Sequence, residues 1–138
     1  MKNLLIEVSA DGQGLFDITD KISQAVAGCD VAQGLVHLFI RHTSASLTIQ
    51  ENADPKVLHD MQRFIERLVP EDPTLYTHNE EGPDDMPAHI KACLTQTHLS
   101  IPIMSGKLAL GTWQGVYLWE HRHHIDRREL LLSIQSFD

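Results

Sequence analysis

Residues 34–68 read GLVHLFIRHTSASLTIQENADPKVLHDMQRFIERL, and the spacing of the apolar residues changes inside this stretch. Residues 34–41 form an apolar strand: Leu35, His37 and Phe39 lie on one face and Val36, Leu38 and Ile40 on the other, because strand side chains alternate. A shorter strand is predicted at 46–50. From Pro55 to Leu68 the period becomes about 3.6, with Val57, Leu58, Met61, Phe64, Ile65 and Leu68 in one stripe. Asp54 is the right type for an N-cap, and Pro55 suits the first helical position, where a missing N–H costs nothing. Pro70 and Pro73 end the helix.

The same reading extends outward to strands at 3–9, 99–104, 107–110, 113–119 and 129–135, with Ser105-Gly106 as a turn. Ile22, Ala25 and Val26 mark a short helix that stops at Gly28. Pro87 opens the second main helix, whose inner stripe is predicted as Ile90, Cys93 and Leu94, making Cys93 a packed small hydrophobe rather than a nucleophile. Six or more short strands with two main helices predict an α+β fold, mainly β. The expectation is sandwich-like antiparallel or mixed sheets, in one domain over 1–138. No Gly-rich phosphate loop is present.

Eleven basic residues against nineteen acidic ones argue against a general nucleic-acid surface, which needs clustered positive charge. No apolar run approaches the roughly 18 residues that span a bilayer. Without a signal-peptide core or a disulfide framework, the expected location is cytoplasmic, with no membrane partner. The charge is unevenly placed. Residues 71–85 carry six acids and no Lys or Arg, whereas 121–128 carry three arginines and three histidines against one acid. The basic segment reads either as a solvated loop or as an anion pocket.

Four polar groups stand out. His42, at a strand end, can join His78 and His89 as a three-imidazole metal set, zinc being the ion that imidazoles suit. Ser44 beside His42 is not a catalytic triad, which needs a third group orienting the base. Glu51 and Asn52 precede the long helix, near its positive end. Asp84 and Asp85 precede the second main helix and can orient an imidazole or act as acid–base groups. Gly115 between large rings indicates close approach of backbone or ligand, or relief of packing beside Trp113. Arg122, Arg127 and Arg128 offer forked donors to phosphate or pair with acids across a subunit contact; Lys91 would add charge from the helix.

The ordered motifs are His42-Thr-Ser-Ala45, Glu51-Asn52, His78-Asn79, Asp84-Asp-Met-Pro-Ala-His-Ile-Lys91, Gly106-Lys-Leu-Ala-Leu-Gly-Thr-Trp-Gln114 and Glu120-His-Arg122. Together they resemble the YjbQ family, credited with a secondary thiamine-phosphate synthase activity, over nearly the whole chain. The resemblance implies a β-rich sandwich-like fold and a homotrimer with polar sites near subunit boundaries. It implies site positions at His42, Glu51, Asn52, His78, His89, Gln114, Glu120 and Arg122, and a divalent metal, zinc in the first place, at the histidines. The implied reaction joins a pyrimidinylmethyl diphosphate to a thiazole phosphate and releases diphosphate, for which magnesium is the usual ion. On that reading Glu51, Asn52, Asp85, Gln114 and Glu120 are catalytic, and Lys91, Thr112, Arg122, Arg127 and Arg128 hold the phosphorylated substrate. The alternatives are a non-catalytic trimeric metal- or phospholigand-binding protein, and a metal-assisted phosphoester hydrolase.

Overall fold

The structure, a computed structural model, describes residues 1–124 and 127–138. In chain order the elements are β1 (Lys2–Val8), β2 (Gly14–Asp17), α1 (Thr19–Ala27), β3 (Gly34–Ile40), β4 (Ala45–Glu51), α2 (Pro55–Leu68), α3 (Asp85–Leu94), β5 (His98–Met104), β6 (Lys107–Leu108), β7 (Gln114–Glu120) and β8 (Arg128–Ser136). A single 3-10 turn, Pro73–Leu75, lies between α2 and α3.

Five strands form one sheet in the order β1-β8-β3-β5-β6, and three form another in the order β2-β7-β4. All the pairings between named strands are antiparallel. Alternation decides the core. Val36, Leu38 and Ile40 stand opposite Ile134, Leu132 and Leu130 of β8, and all six are buried. The other face of β3 leaves Phe39 exposed. Val116 and Leu118 of β7, Ala45 and Leu47 of β4, and Ile22 and Val26 of α1 complete the same core. Gly34 lets β3 approach β8 closely: a Cβ there would lie 2.0 Å from the Gln135 carbonyl oxygen.

The expected sandwich with two main helices is overturned. The fold is mixed α/β, with a curled half-barrel sheet and three distinct helices. The reason lies partly in α1: it has only nine residues, but Ile22 and Val26 are almost wholly buried, so it is part of the core rather than a connection.

Two helix stripes also need revision. Asp54 caps α2 as expected, its Oδ1 accepting from the Lys56 N–H at 2.9 Å. Of the α2 stripe, however, only Ile65 is buried, and Phe64 and Leu68 are exposed along a groove of about 440 Å³ shared with Met61, Leu94 and Trp119. On α3 the buried face is Ala88, Lys91 and Ala92, whereas Cys93 and Leu94 are exposed, so Cys93 is not a packed hydrophobe. Two alanines and a lysine stem give too weak an apolar signal to outvote Ile, Cys and Leu in the sequence. Among the described residues no helix is long and apolar enough to cross a membrane.

Candidate functional site

The acidic and basic segments pair with each other. Arg122 Nε donates to Asp84 Oδ2 at 3.2 Å, its Nη2 donates to the Glu81 carbonyl at 2.8 Å, and its Nη1 lies 3.0 Å from Asp85 Oδ1. His123 Nε2 lies 2.8 Å from the Glu71 carboxylate. This docks the start of α3 onto the end of β7.

Asp85, 2% exposed, is the hub. Its Oδ2 lies 2.8 Å from His78 Nε2 and 3.1 Å from His89 Nε2. Asp85 and His89 are four apart on α3, hence on one face. Burial would raise the Asp85 carboxyl, but the His78 hydrogen bond and the Arg122 charge outweigh it and hold the group below the ordinary carboxylate range.

The tautomer of His89 matters here. Its Nδ1 lies 2.9 Å from the Thr43 carbonyl, an acceptor, so Nδ1 carries a proton. In the neutral ring the lone pair is then on Nε2 and faces the Asp85 carboxylate. Two acceptors in contact need a proton or a cation between them. One ligand atom each from His78, Asp85 and His89 lie within 4.8 Å of one another, a donor set that could hold a metal ion. Two imidazole nitrogens and a carboxylate oxygen suit zinc, manganese or iron better than magnesium.

His42, the third imidazole expected, is not in this cluster. Asp85 takes that place. His42 Nε2 accepts the Glu129 N–H at 2.8 Å, and its ring lines a cavity of about 340 Å³ with Thr43, His89, Ala92, Cys93 and Thr97. Burial and the nearby Arg128 charge lower its pKa.

The remaining expected residues disperse. Glu120 is wholly buried and takes a two-pronged ion pair from Arg128, 2.8 Å from Nε and 2.6 Å from Nη2. Arg128 also donates to the Ser44 carbonyl and hydroxyl, while Glu120 Oε2 accepts the backbone N–H groups of His121 and Arg122. Arg127 is exposed and pairs with Glu7 at 3.1 Å. Lys91 stands about 200° round the helix from His89 and lines a different cavity.

Glu51, Asn52, Thr112 and Gln114 gather elsewhere. Ala45 pairs with Glu120 and Glu51 with Gln114, so these residues sit at the opposite end of the β4–β7 ladder, about 20 Å away at roughly 3.3 Å per residue. Asn52 Nδ2 reaches the carbonyls of Thr112 and Gln114, and Gln114 Oε1 accepts the Gly111 N–H. Gly115 makes room for this group: a Cβ there would meet the Tyr117 ring at 3.1 Å and Asn52 Cβ at 3.3 Å, not Trp113. Within one chain the expected positions thus form two clusters and a buried pair, with His42, Lys91 and Arg127 outside all three. Sequence reasoning missed Glu81 and the buried Ser46–His121 contact, 2.9 Å long, which Thr95 extends. The opposite charges of 71–85 and 121–128 were the signal that could have found the Asp84–Arg122 contact.

Fold and site together define a mixed α/β protein of antiparallel sheets with a His–Asp–His group, suited to a cation, at the head of a helix. The chain belongs to the YjbQ/UPF0047 family: the family model described as UPF0047 protein YjbQ-like matches residues 5–136. It is 50% identical to a UPF0047 protein of Synechocystis sp., over 96% of this chain and 90% of that protein. It is 45% identical to the UPF0047 protein YjbQ of Escherichia coli O157:H7, over 95% of each. Among solved structures it is similar to a conserved hypothetical protein of Thermus thermophilus, with TM-score 0.85 and 36% identity over 96% of this chain and 99% of that one.

Proposed function

We propose that the chain holds a divalent cation, zinc in the first place, on His78, Asp85 and His89, and through it binds a small phosphorylated compound. The observation that carries this is the His89 lone pair facing the Asp85 carboxylate at 3.1 Å, with His78 Nε2 2.8 Å from the same oxygen. Three protein ligands leave a coordination position for a ligand oxygen. A bound cation would polarise a phosphoryl group and lower the pKa of a water beside it, so metal-assisted phosphoester hydrolysis is the chemistry this arrangement favours. Arg122 fixes Asp85 and so orients the donor set. His42 lines the same cavity as His89; its Nε2 accepts the Glu129 N–H, so in the neutral ring Nδ1 carries the proton and can donate to a ligand oxygen.

The thiamine-phosphate synthase reading has less support. Arg122, Arg127 and Arg128 are each paired with acids of the same chain, and Asp84 and Asp85 are both engaged by Arg122. No free guanidinium among them clamps a diphosphate, and the two aspartates are not a free magnesium pair. The same reading includes a homotrimer. The exposed Phe64, Leu68 and Leu94 offer apolar surface for a contact between copies.

The test is elemental analysis of protein purified without a metal-affinity tag, followed by melting in a panel of phosphometabolites with and without chelator. The expected result is about one cation per chain, lost in His89→Ala, and ligand stabilisation that disappears with chelator. Metal-free protein whose phosphate binding ignores both changes overturns the proposal.

A further inference from the structure

On the side of α3 away from the histidines lies a cavity of about 170 Å³, lined by Gln13, Glu66, Val69, Glu71, Lys91 and His123. That is several times the ~30 Å³ share of one water. Lys91 is 1% exposed, one of the largest buried side chains of the protein. Its ammonium carries three N–H donors, but makes no hydrogen bond or ion pair within 4.0 Å among the described residues. The ammonium is not sealed in the interior but opens onto this cavity, so the cavity's contents supply its acceptors.

The other polar groups of this wall have partners. Glu71 accepts from Gln13 Nε2 at 3.2 Å and lies 2.8 Å from His123 Nε2. Gln13 Nε2 also donates to the His121 carbonyl at 2.8 Å. Asp84 is held by Arg122. Lys91 lies within the electrostatic reach of Glu71, Glu66 and Asp84 without contacting any of them. Glu71 is hydrogen-bonded by Gln13 and His123, and Asp84 by Arg122; among the described residues the charged groups facing the space without a partner are the Lys91 ammonium and the Glu66 carboxylate. A simple anion would meet Lys91 but be repelled by Glu66, and a simple cation would suffer the reverse. A molecule with both charges satisfies both walls, and Val69 gives its carbon part an apolar surface.

We propose that this cavity binds a small zwitterion of amino-acid type, its carboxylate on Lys91 and its ammonium on Glu66 and the rim of Glu71. The site is separate from the His78–Asp85–His89 cluster and does not depend on a metal there.

The test is a titration of the full chain followed by amide NMR shifts and melting temperature. The probes are alanine, β-alanine, acetate and ethylamine. Alanine or β-alanine should move the amides of Glu66, Val69, Lys91 and His123 and raise Tm by a few degrees at saturation. Acetate and ethylamine should each bind at least tenfold more weakly. Lys91→Met should abolish the response. Because that change sits in the core, Glu66→Gln, on a half-exposed residue, provides the variant that keeps the fold, with at least a tenfold loss for the zwitterion and no change in metal content. No response to either zwitterion overturns the proposal. So does acetate binding as tightly as alanine, which marks a plain anion site, or shifts confined to the residues around His78 and His89.

Discussion

Glu120 and Asp85 are both buried carboxylates at the same end of the protein, but their surroundings differ in kind. Glu120 receives two hydrogen bonds from Arg128 and two from backbone N–H groups, one on Oε1 and three on Oε2, so both oxygens face donors of the protein. Asp85 also has an arginine, but its second oxygen meets two imidazole nitrogens that are 46% and 33% exposed in their side chains, and one of these is a lone pair in the neutral ring. The first arrangement is closed and holds structure together. The second opens to solvent through its imidazoles, and its Oδ2 has no positive partner unless a proton or cation supplies one. A buried acid in this chain is therefore not by itself a mark of chemistry; what distinguishes the two is whether the partners complete the set.

Glu120→Gln should break the closed set and leave Arg128 without its counter-charge. Removing one member of a buried pair costs about 3–5 kcal/mol, read as a large fall in the urea midpoint, with no direct change in cation affinity. A midpoint unchanged from the parent would place Glu120 on the functional side of the comparison.

His121 gives the next largest effect. Burial, with the charges of Lys91 and Arg128, lowers its pKa to about 3, against about 6.5 in an unfolded chain. Between these values the unfolded state binds the proton and the native state does not. Stability should therefore fall as pH drops through that window, by up to about 1.4 kcal/mol per unit. Asp84 and Asp85, with lowered pKa values, add acid sensitivity only below about 3.9. Urea titrations at several pH values should show the slope, and His121→Asn should flatten it.

Asp85→Asn sharpens the contrast from the other side. Cation affinity should drop at least tenfold, about 1.4 kcal/mol, while the urea midpoint moves less than for Glu120→Gln. If the two variants lose the same stability and neither alters metal binding, Asp85 is as structural as Glu120. Smallest of all, Glu51→Gln at the far end of the β4–β7 ladder should change stability by no more than about 0.5 kcal/mol and leave cation affinity of the isolated chain untouched.

Much of the fold was legible where one signal dominated. The alternation separated Val36, Leu38 and Ile40, which form the core face of β3, from Leu35, His37 and Phe39, and Asp54-Pro55 marked the start of α2. The α3 face was misread because Lys91, a charged residue, is buried while Leu94 is exposed. Burial there depends on Ala88 and Ala92 permitting close packing, which periodicity cannot report. For the site, His78, His89 and Asp85 were all named, but not as one group, because convergence depends on how the 71–85 segment folds back. The placement of Glu51 and Glu120 at opposite ends of one ladder follows from strand register, which no local motif encodes.

The position of β8 has a consequence for how the molecule comes into being. It is the last strand in sequence, yet it lies between β1 and β3 and, among the described residues, is the sole strand partner of β1. On the ribosome, then, β1 lacks this partner until residues 128–136 emerge, and one hydrogen-bonding edge of β3 stays open for the same interval. A nascent chain of this kind closes late and all at once, because contacts so distant along the chain cannot form in stages. Removal of β8 by a protease would take out the middle of the sheet rather than trim its border.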